Sequence, residues 1–175
     1  DAPVLTGANS PLTLNEGDTL TLVPTLSISD VDDTYLDGTT ITITQGYLSD
    51  DALAATLTGN VSSSFATNVL TLSGKDTVAT YRDILYGITF THNSDDPNDQ
   101  GNGASRTVTI TVNDGELISA SIAVQIDIVA DADSPVIGSW DNTPTYSEDD
   151  GALTLDSTVT LSDGDSPELQ SATLT

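Results

Sequence analysis

Ser121-Ile122-Ala123-Val124-Gln125-Ile126-Asp127-Ile128-Val129 places Ile122, Val124, Ile126 and Ile128 on one face and Ser121, Ala123, Gln125 and Asp127 on the other. Successive strand side chains point to opposite faces, so this period of two predicts a strand with one face in a core, the longest being Ile118 to Val129. The alternation recurs upstream. Arg106 to Asn113 turns Val108, Ile110 and Val112 inward, Gly87 to Thr91 turns Ile88 and Phe90 inward, and Thr39 to Thr44 turns Ile41 and Ile43 inward. The first two of these are expected to form a hairpin around the loop Asn93 to Ser105. Thr13 to Gly17 reads as a short edge strand, and Thr19 to Leu26 as a strand whose Pro24 marks an edge or bulge. Leu53 to Leu57 and Asn68 to Leu72 are further strand candidates. One helix is expected, over residues 76–85, with Asp76 as its cap and Val78, Tyr81, Ile84 and Leu85 on one face. Seven or so strands separated by Asp, Gly and Asn turns predict an all-β, antiparallel Greek-key β-sandwich of immunoglobulin-like build.

The last strand runs into Val129-Ala130-Asp131-Ala132-Asp133-Ser134-Pro135-Val136, whose second half repeats the way the chain begins, Asp1-Ala2-Pro3-Val4. A shift of 132 residues lays Asp133-Ser-Pro-Val on Asp1-Ala-Pro-Val and Ser147-Glu148-Asp149 on Asn15-Glu16-Gly17. One inserted residue then lays Ser162-Asp163-Gly164-Asp165 on Ser29-Asp30-Val31-Asp32, with Leu169 on Leu36 and Leu174 on Ile41. The period predicts a tandem array: a complete unit over residues 1–131 and the N-terminal part of a following unit, truncated, over residues 132–175. The chain is expected to be an internal piece of a longer protein. It does not open with Met, and no apolar run reaches the ~18 residues of a membrane helix.

Three basic residues, Lys75, Arg82 and Arg106, stand against 27 acids, of which only Glu16, Glu116, Glu148 and Glu168 are Glu. A net charge of −24 excludes nucleic acid as a partner and disfavours an anionic membrane surface. Asp favours turns and short-armed oxygen coordination, and the acids gather at the ends of apolar runs. That placement suits neither disorder nor an evenly solvated surface. There is no Cys, hence no disulfide and no zinc–thiolate site. For such a chain outside the cell, a divalent cation is the expected staple.

Two groups of acids carry that expectation. Glu16, Asp131, Asp133, Asp163 and Asp165 are placed by the repeat to converge where one unit passes into the next. Asp30, Asp32, Asp114 and Asp1 form the equivalent set at the other end. Calcium takes ~6–8 oxygens at ~2.3–2.6 Å in flexible geometry, which suits Asp arms on loops better than magnesium or a transition metal does. Without a cation, so many neighbouring carboxylates repel one another and their pKa values rise. Glu16, Asp30 and Asp32 each have a counterpart one period on, which a merely solvating charge does not require.

Asn15-Glu16-Gly17, Ser29-Asp30-Val31-Asp32-Asp33, Val112-Asn113-Asp114-Gly115 and the junction Ile126 to Pro135 resemble the cadherin-like repeats of large secreted bacterial adhesins and RTX-type surface proteins. Tyr81 to Phe90, followed by Arg106 to Gly115, is similar to the signature of the bacterial branch. The resemblance implies Ca2+ bound between repeats by a strand Glu, an Asp-x-Asp turn, an Asp-x-Gly near the last hairpin and an acidic linker ending in Pro. It implies a non-enzymatic extracellular adhesion or spacer module of a secreted or cell-surface protein, of the kind found in biofilms. Its partners are then neighbouring repeats of the same chain and a surface glycan or protein receptor. The linker departs from the cadherin form, reading Asp-Ala-Asp-Ser-Pro.

Other chemistry finds less support. Asp96, Asn98, Gln100 and Gly101 fall at EF-hand positions, yet Thr107 stands where the closing Glu belongs, so an acidic loop is expected. His92, the only histidine, reads as a polar residue at a strand end. No nucleophile elbow, phosphate loop or zinc spacing occurs. An alternative is a carbohydrate-binding module of a secreted polysaccharide-acting protein, with Trp140 and Tyr146 as a stacking platform. Both aromatics are expected instead to fill the core of the second unit.

Overall fold

The computed structural model describes residues 1–175 except Asn9, Trp140, Asp141, Asn142 and Thr175. The chain divides into two compact units, Asp1–Asp131 and Ala132–Thr175.

The first unit runs β1 (Val4–Thr6), β2 (Leu12–Asn15), β3 (Thr19–Thr21), β4 (Ser27–Ser29), β5 (Tyr35–Gln45), β6 (Asp51–Ala54), β7 (Ser62–Ala66), β8 (Val69–Thr77), α1 (Val78–Tyr86), β9 (Thr89–His92), β10 (Ser105–Asn113) and β11 (Ile122–Val129). Six strands form one sheet in the order β2-β11-β10-β5-β8-β7, three form β3-β9-β6, and β1 pairs with β4. All pairs are antiparallel except β2 with β11, which are parallel. The inner faces share one core: Leu5 and Ile28 from the small pair, Leu53 and Phe90 from the three-stranded sheet, and Ile41, Leu70, Val108, Ile110, Val124 and Ile126 from the large sheet. The architecture is a mostly β, sandwich-like stack of antiparallel sheets. Full burial of each Val, Leu, Ile or Phe side chain stabilises the fold by roughly 1.5–3 kcal/mol before entropy is counted.

Period-two alternation is reproduced throughout β10, in β11 from Val124 to Ile128, and in β5 from Thr39 to Ile43, after a bulge between Leu36 and Gly38 that shifts its phase. Several expectations are corrected. The last strand begins at Ile122 rather than Ile118, and β5, with 11 residues, is the longest strand. The strands β9 and β10 do not form a hairpin: β9 lies between β3 and β6, and β10 between β5 and β11. The long loop between them carries the chain from one sheet to the other, which a tight hairpin turn does not do. The strand expected over Thr19–Leu26 ends at Thr21. Leu22 and Val23 are both buried, breaking the alternation, and the Leu26 N–H closes a turn on the Val23 carbonyl at 3.2 Å around Pro24, which has no N–H to give. Strand β7 is gained where no strand was expected. Its residues are all exposed and show no apolar period, and pairing with β8 alone defines it.

Helix α1 is present with a different cap. The Thr77 hydroxyl accepts from the Thr80 N–H at 3.1 Å, while Asp76 accepts from the N–H groups of Asn60 (2.8 Å) and Thr77 (2.7 Å). Those donors, Asn60 first, hold the Asp76 carboxyl below its usual range. Thr77→Ala should therefore cost about 1 kcal/mol of stability, as loss of a hydroxyl cap does, read from the denaturant midpoint.

Tyr81 is buried on the inner face of α1, and its hydroxyl donates to the Gly74 carbonyl at 2.7 Å. Burial, then the charges of Asp37 and Asp76, push its pKa up to about 12. An unfolded Tyr ionises near ~10, so the folded form keeps its proton more tightly. The stability this contributes is complete below pH ~10 and is lost as pH rises toward 12. Tyr81→Phe should remove that part of the alkaline decline in a pH series of thermal midpoints.

The second unit contains β12 (Val136–Gly138) and β13 (Thr160–Ser162). Their register, Val136↔Ser162, Ile137↔Leu161 and Gly138↔Thr160, repeats Val4↔Ser29, Leu5↔Ile28 and Thr6↔Ser27 of β1 and β4 pair by pair. A turn also recurs. Asp150 N–H donates to the Ser147 carbonyl at 3.1 Å, as Asp18 N–H does to the Asn15 carbonyl at 3.1 Å.

Candidate metal centre

Asp30 leaves the end of β4 and turns its own backbone: Oδ1 accepts from the N–H groups of Asp32 (3.3 Å) and Asp33 (3.2 Å). Its Oδ2 is buried and accepts no hydrogen bond. Carboxylate oxygens of Asp30, Asp32 and Asp33 lie within 4.8 Å of one another. Asp32 Oδ2 accepts from the Asp1 amine at 2.6 Å. That bond lowers the Asp32 carboxyl, and it raises the Asp1 amine together with the nearby charges of Asp32, Asp30 and Asp114. Three of the residues predicted to act together, Asp1, Asp30 and Asp32, meet here, and Asp114 is near enough for its charge to act on the Asp1 amine.

Asp114 follows β10. Its Oδ1 accepts from the N–H groups of Glu116 and Leu117, each at 2.7 Å, which hold its carboxyl below the usual range, Leu117 first. Gly115 makes this turn possible with φ +103°, and a Cβ there would meet the Asp37 carboxylate. Asp114 is 5% exposed, and its Oδ2 is buried without a partner. Among the described residues only six side chains leave a buried polar atom unsatisfied, and two of them are Asp30 and Asp114. An unsatisfied buried polar group costs about 1–3 kcal/mol and a charged one more, so these oxygens fit a cation that takes oxygen ligands.

At the other end of the first unit, Glu16 donates its N–H to the Val129 carbonyl at 2.9 Å, and Glu16 Oε2 accepts from the Asp131 N–H at 2.9 Å. The last strand and the turn after β2 are thereby tied. Asp95, which the sequence reading left in a loop, brings a carboxylate oxygen within 4.8 Å of one of Glu16. Glu16 to Thr19 and Thr91 to Asp95 line an open cleft of about 280 Å³.

In the second unit, Asp133 N–H donates to Asp165 Oδ2 at 3.2 Å, the place held by the Asp1 amine and Asp32 in the first. Asp163 faces Asp165, which raises the Asp163 carboxyl and lowers that of Asp165. Asp163 Oδ1 is buried and accepts no hydrogen bond. The counterpart of Asp30 therefore reproduces the unsatisfied oxygen of Asp30.

The EF-hand-like loop is closed on itself. Both Asp96 oxygens accept from the Gln100 N–H at 3.0 Å and Asn98 Oδ1 from the Gly101 N–H at 2.9 Å.

His92 is the polar residue that ends β9, as expected. It is buried, with Nδ1 at 2.7 Å from Asp51 Oδ1. The other Asp51 oxygen accepts from Arg106 Nε at 2.7 Å and from the Leu48 N–H at 2.8 Å. Arg106, fully buried, donates on to the carbonyls of Pro97 (3.0 Å) and Gly103, pinning the acidic loop. Alternation was the signal: His92 continues Ile88 and Phe90, and Arg106 precedes Val108, Ile110 and Val112, so both fall on inward positions. Trp140 lies outside the described residues, and Tyr146, expected in the core of the second unit, is instead exposed and donates its hydroxyl to the Asp150 carbonyl at 3.0 Å. The chain matches no family model, no curated protein and no solved structure.

Proposed function

We propose that this chain is a calcium-binding module of an extracellular tandem array, an adhesion or spacer element built as a cadherin-like, Greek-key variant of the β-sandwich. One observation carries the reading. Buried carboxylate oxygens of Asp30 and Asp114 have no partner, and Asp163, one period on, has the same unsatisfied oxygen. Asp30, Asp32 and Asp114 would hold Ca2+ in the first unit, with Asp163 and Asp165 in the matching place of the second. Glu16, Asp95 and Asp131 offer a further set at the opposite end of the first unit.

Bound Ca2+ supplies positive charge and several coordination positions that short Asp arms on loops can fill. The chain's own residues do the rest. Backbone N–H groups clamp Oδ1 of Asp30 and Asp114, leaving Oδ2 of each for the ion. Neutralising the acids at unit ends removes repulsion that would loosen an array, so the module acts as a stiffener. Secretion or display on a cell surface follows from the need for abundant calcium.

Calorimetric titration of the chain with Ca2+ tests this. Saturable binding is expected, with Asp114→Asn removing one site while Asp96→Asn, whose oxygens serve their own loop, leaves the isotherm unchanged. Equal loss in both variants, or no saturable heat, would reject the assignment.

A further inference from the structure

His92 is held in the way a metal-ligating histidine is held. Its side chain is 1% exposed, and Nδ1 lies 2.7 Å from Asp51 Oδ1. Asp51 also meets the buried Arg106 guanidinium at 2.7 Å, and a carboxylate in that pairing only accepts. Nδ1 therefore carries the ring proton, and in the neutral ring Nε2 keeps a bare lone pair. That nitrogen is buried and has no hydrogen-bond partner. A histidine that binds a metal through one nitrogen almost always gives its other N–H to a carboxylate, carbonyl or water, which fixes the tautomer and raises the basicity of the ligating nitrogen.

The ring is aimed by the sheet. Strand β9 lies between β3 and β6, and Asp51 stands on β6 directly opposite His92. With Nδ1 turned toward β6, Nε2 is turned away from it, toward the side on which Glu16 to Thr19 lead into β3. Those residues and His92 line one open cleft of about 280 Å³. Apart from His92, its ionisable side chains are all acids, Glu16, Asp18 and Asp95, so the cleft suits a cation. Carboxylate oxygens of Glu16 and Asp95 already lie within 4.8 Å of one another. Nε2 and those two carboxylates are not all within that distance as they stand, so an ion must draw in the exposed Asp95 arm on the loop after β9.

We propose that this cleft is a metal site of a second kind, which takes a divalent transition-metal ion of the zinc class on His92 Nε2, with Glu16 and Asp95 as its carboxylate ligands. Calcium prefers oxygen throughout its shell, whereas an imidazole nitrogen suits zinc, which also accepts carboxylate oxygens. The ligands are scattered along the sequence, so no short motif announces them. The proposal rests on Glu16 and Asp95 acting as a cation-binding set and changes the ion that set prefers; it does not rest on calcium at Asp30 and Asp114.

His92 is the only histidine of the chain, so its two ring nitrogens give the only imidazole signals in a nitrogen NMR spectrum. In the calcium-saturated chain before zinc is added, Nδ1 should carry the proton and Nε2 should show the downfield signal of a bare nitrogen. Zn2+ should then move the Nε2 signal upfield and saturably, with Nδ1 still protonated, and further Ca2+ should not. Asp95→Asn, a change in an exposed loop, should weaken that binding by at least the roughly 10-fold that loss of a partner around a ligating histidine costs. An Nε2 signal unmoved by excess Zn2+, or an Nε2 that is protonated at the outset, overturns the proposal. So does zinc affinity that is unchanged in both Asp95→Asn and Glu16→Gln, which would leave the ring binding an adventitious ion only. With calcium present throughout and His92 as the readout, these failures leave the calcium assignment at Asp30 and Asp114 standing, and absent calcium heat would leave the zinc assignment standing.

Discussion

Replacing Asp51 with Ala is expected to lower the stability of the first unit by about 3–5 kcal/mol, the cost of leaving one partner of a buried ion pair alone. The Arg106 guanidinium is fully buried and meets Asp51 at 2.7 Å, while its other contacts are neutral carbonyls. The same carboxylate holds the His92 ring and the Leu48 N–H, so one truncation strands three donors. Removing both charges with apolar replacements, Asp51→Leu with Arg106→Met, should cost less than the sum of the single changes. Denaturant unfolding of the four proteins of that cycle gives the coupling. A cost below about 1 kcal/mol for Asp51→Ala would place the pair in the weak class of solvent-exposed ion pairs, contrary to its burial here.

Removing calcium is the second large effect. A ligand that binds only the folded state stabilises by about 2.7 kcal/mol at 100 times its dissociation constant, and each independent site adds its own share. Chelation should therefore lower the thermal midpoint of the first unit by several degrees. Asp114→Asn should lower it in calcium and leave little further loss on chelation. Acid should mimic chelation. The Asp114 and Asp32 carboxyls sit below their usual range, so their contribution is present above the unfolded value near ~3.9 and is lost as pH falls through the folded values. Equal midpoints in calcium and in chelator would remove the stabilising role.

Much of this was written in one-dimensional pattern, and the failures are physical. Strands β5, β10 and β11 were legible because burying one sheet face forces alternation. Pairing partners were not legible. The hairpin expected of β9 and β10 assumed that neighbours in sequence pair, whereas the intervening loop crosses between sheets. Strand β7 left no trace, since Ser62 to Ala66 bury nothing and owe their conformation to β8. At the site, the repeat grouped Asp1, Asp30, Asp32 and Asp114 without showing why Asp114 matters. Its buried Oδ2 depends on the Asn113–Leu117 turn, a three-dimensional property. The Asp51, His92 and Arg106 network escaped because only apolar residues were read for their facing, although the alternation already placed His92 and Arg106 at inward positions.

Diffraction from crystals of this chain saturated with calcium tests the central claim most directly. The account predicts anomalous density within ~2.3–2.6 Å of both Asp30 Oδ2 and Asp114 Oδ2, the distance range of calcium–oxygen bonds. Ordered water alone at those two oxygens, with calcium in excess, would contradict it.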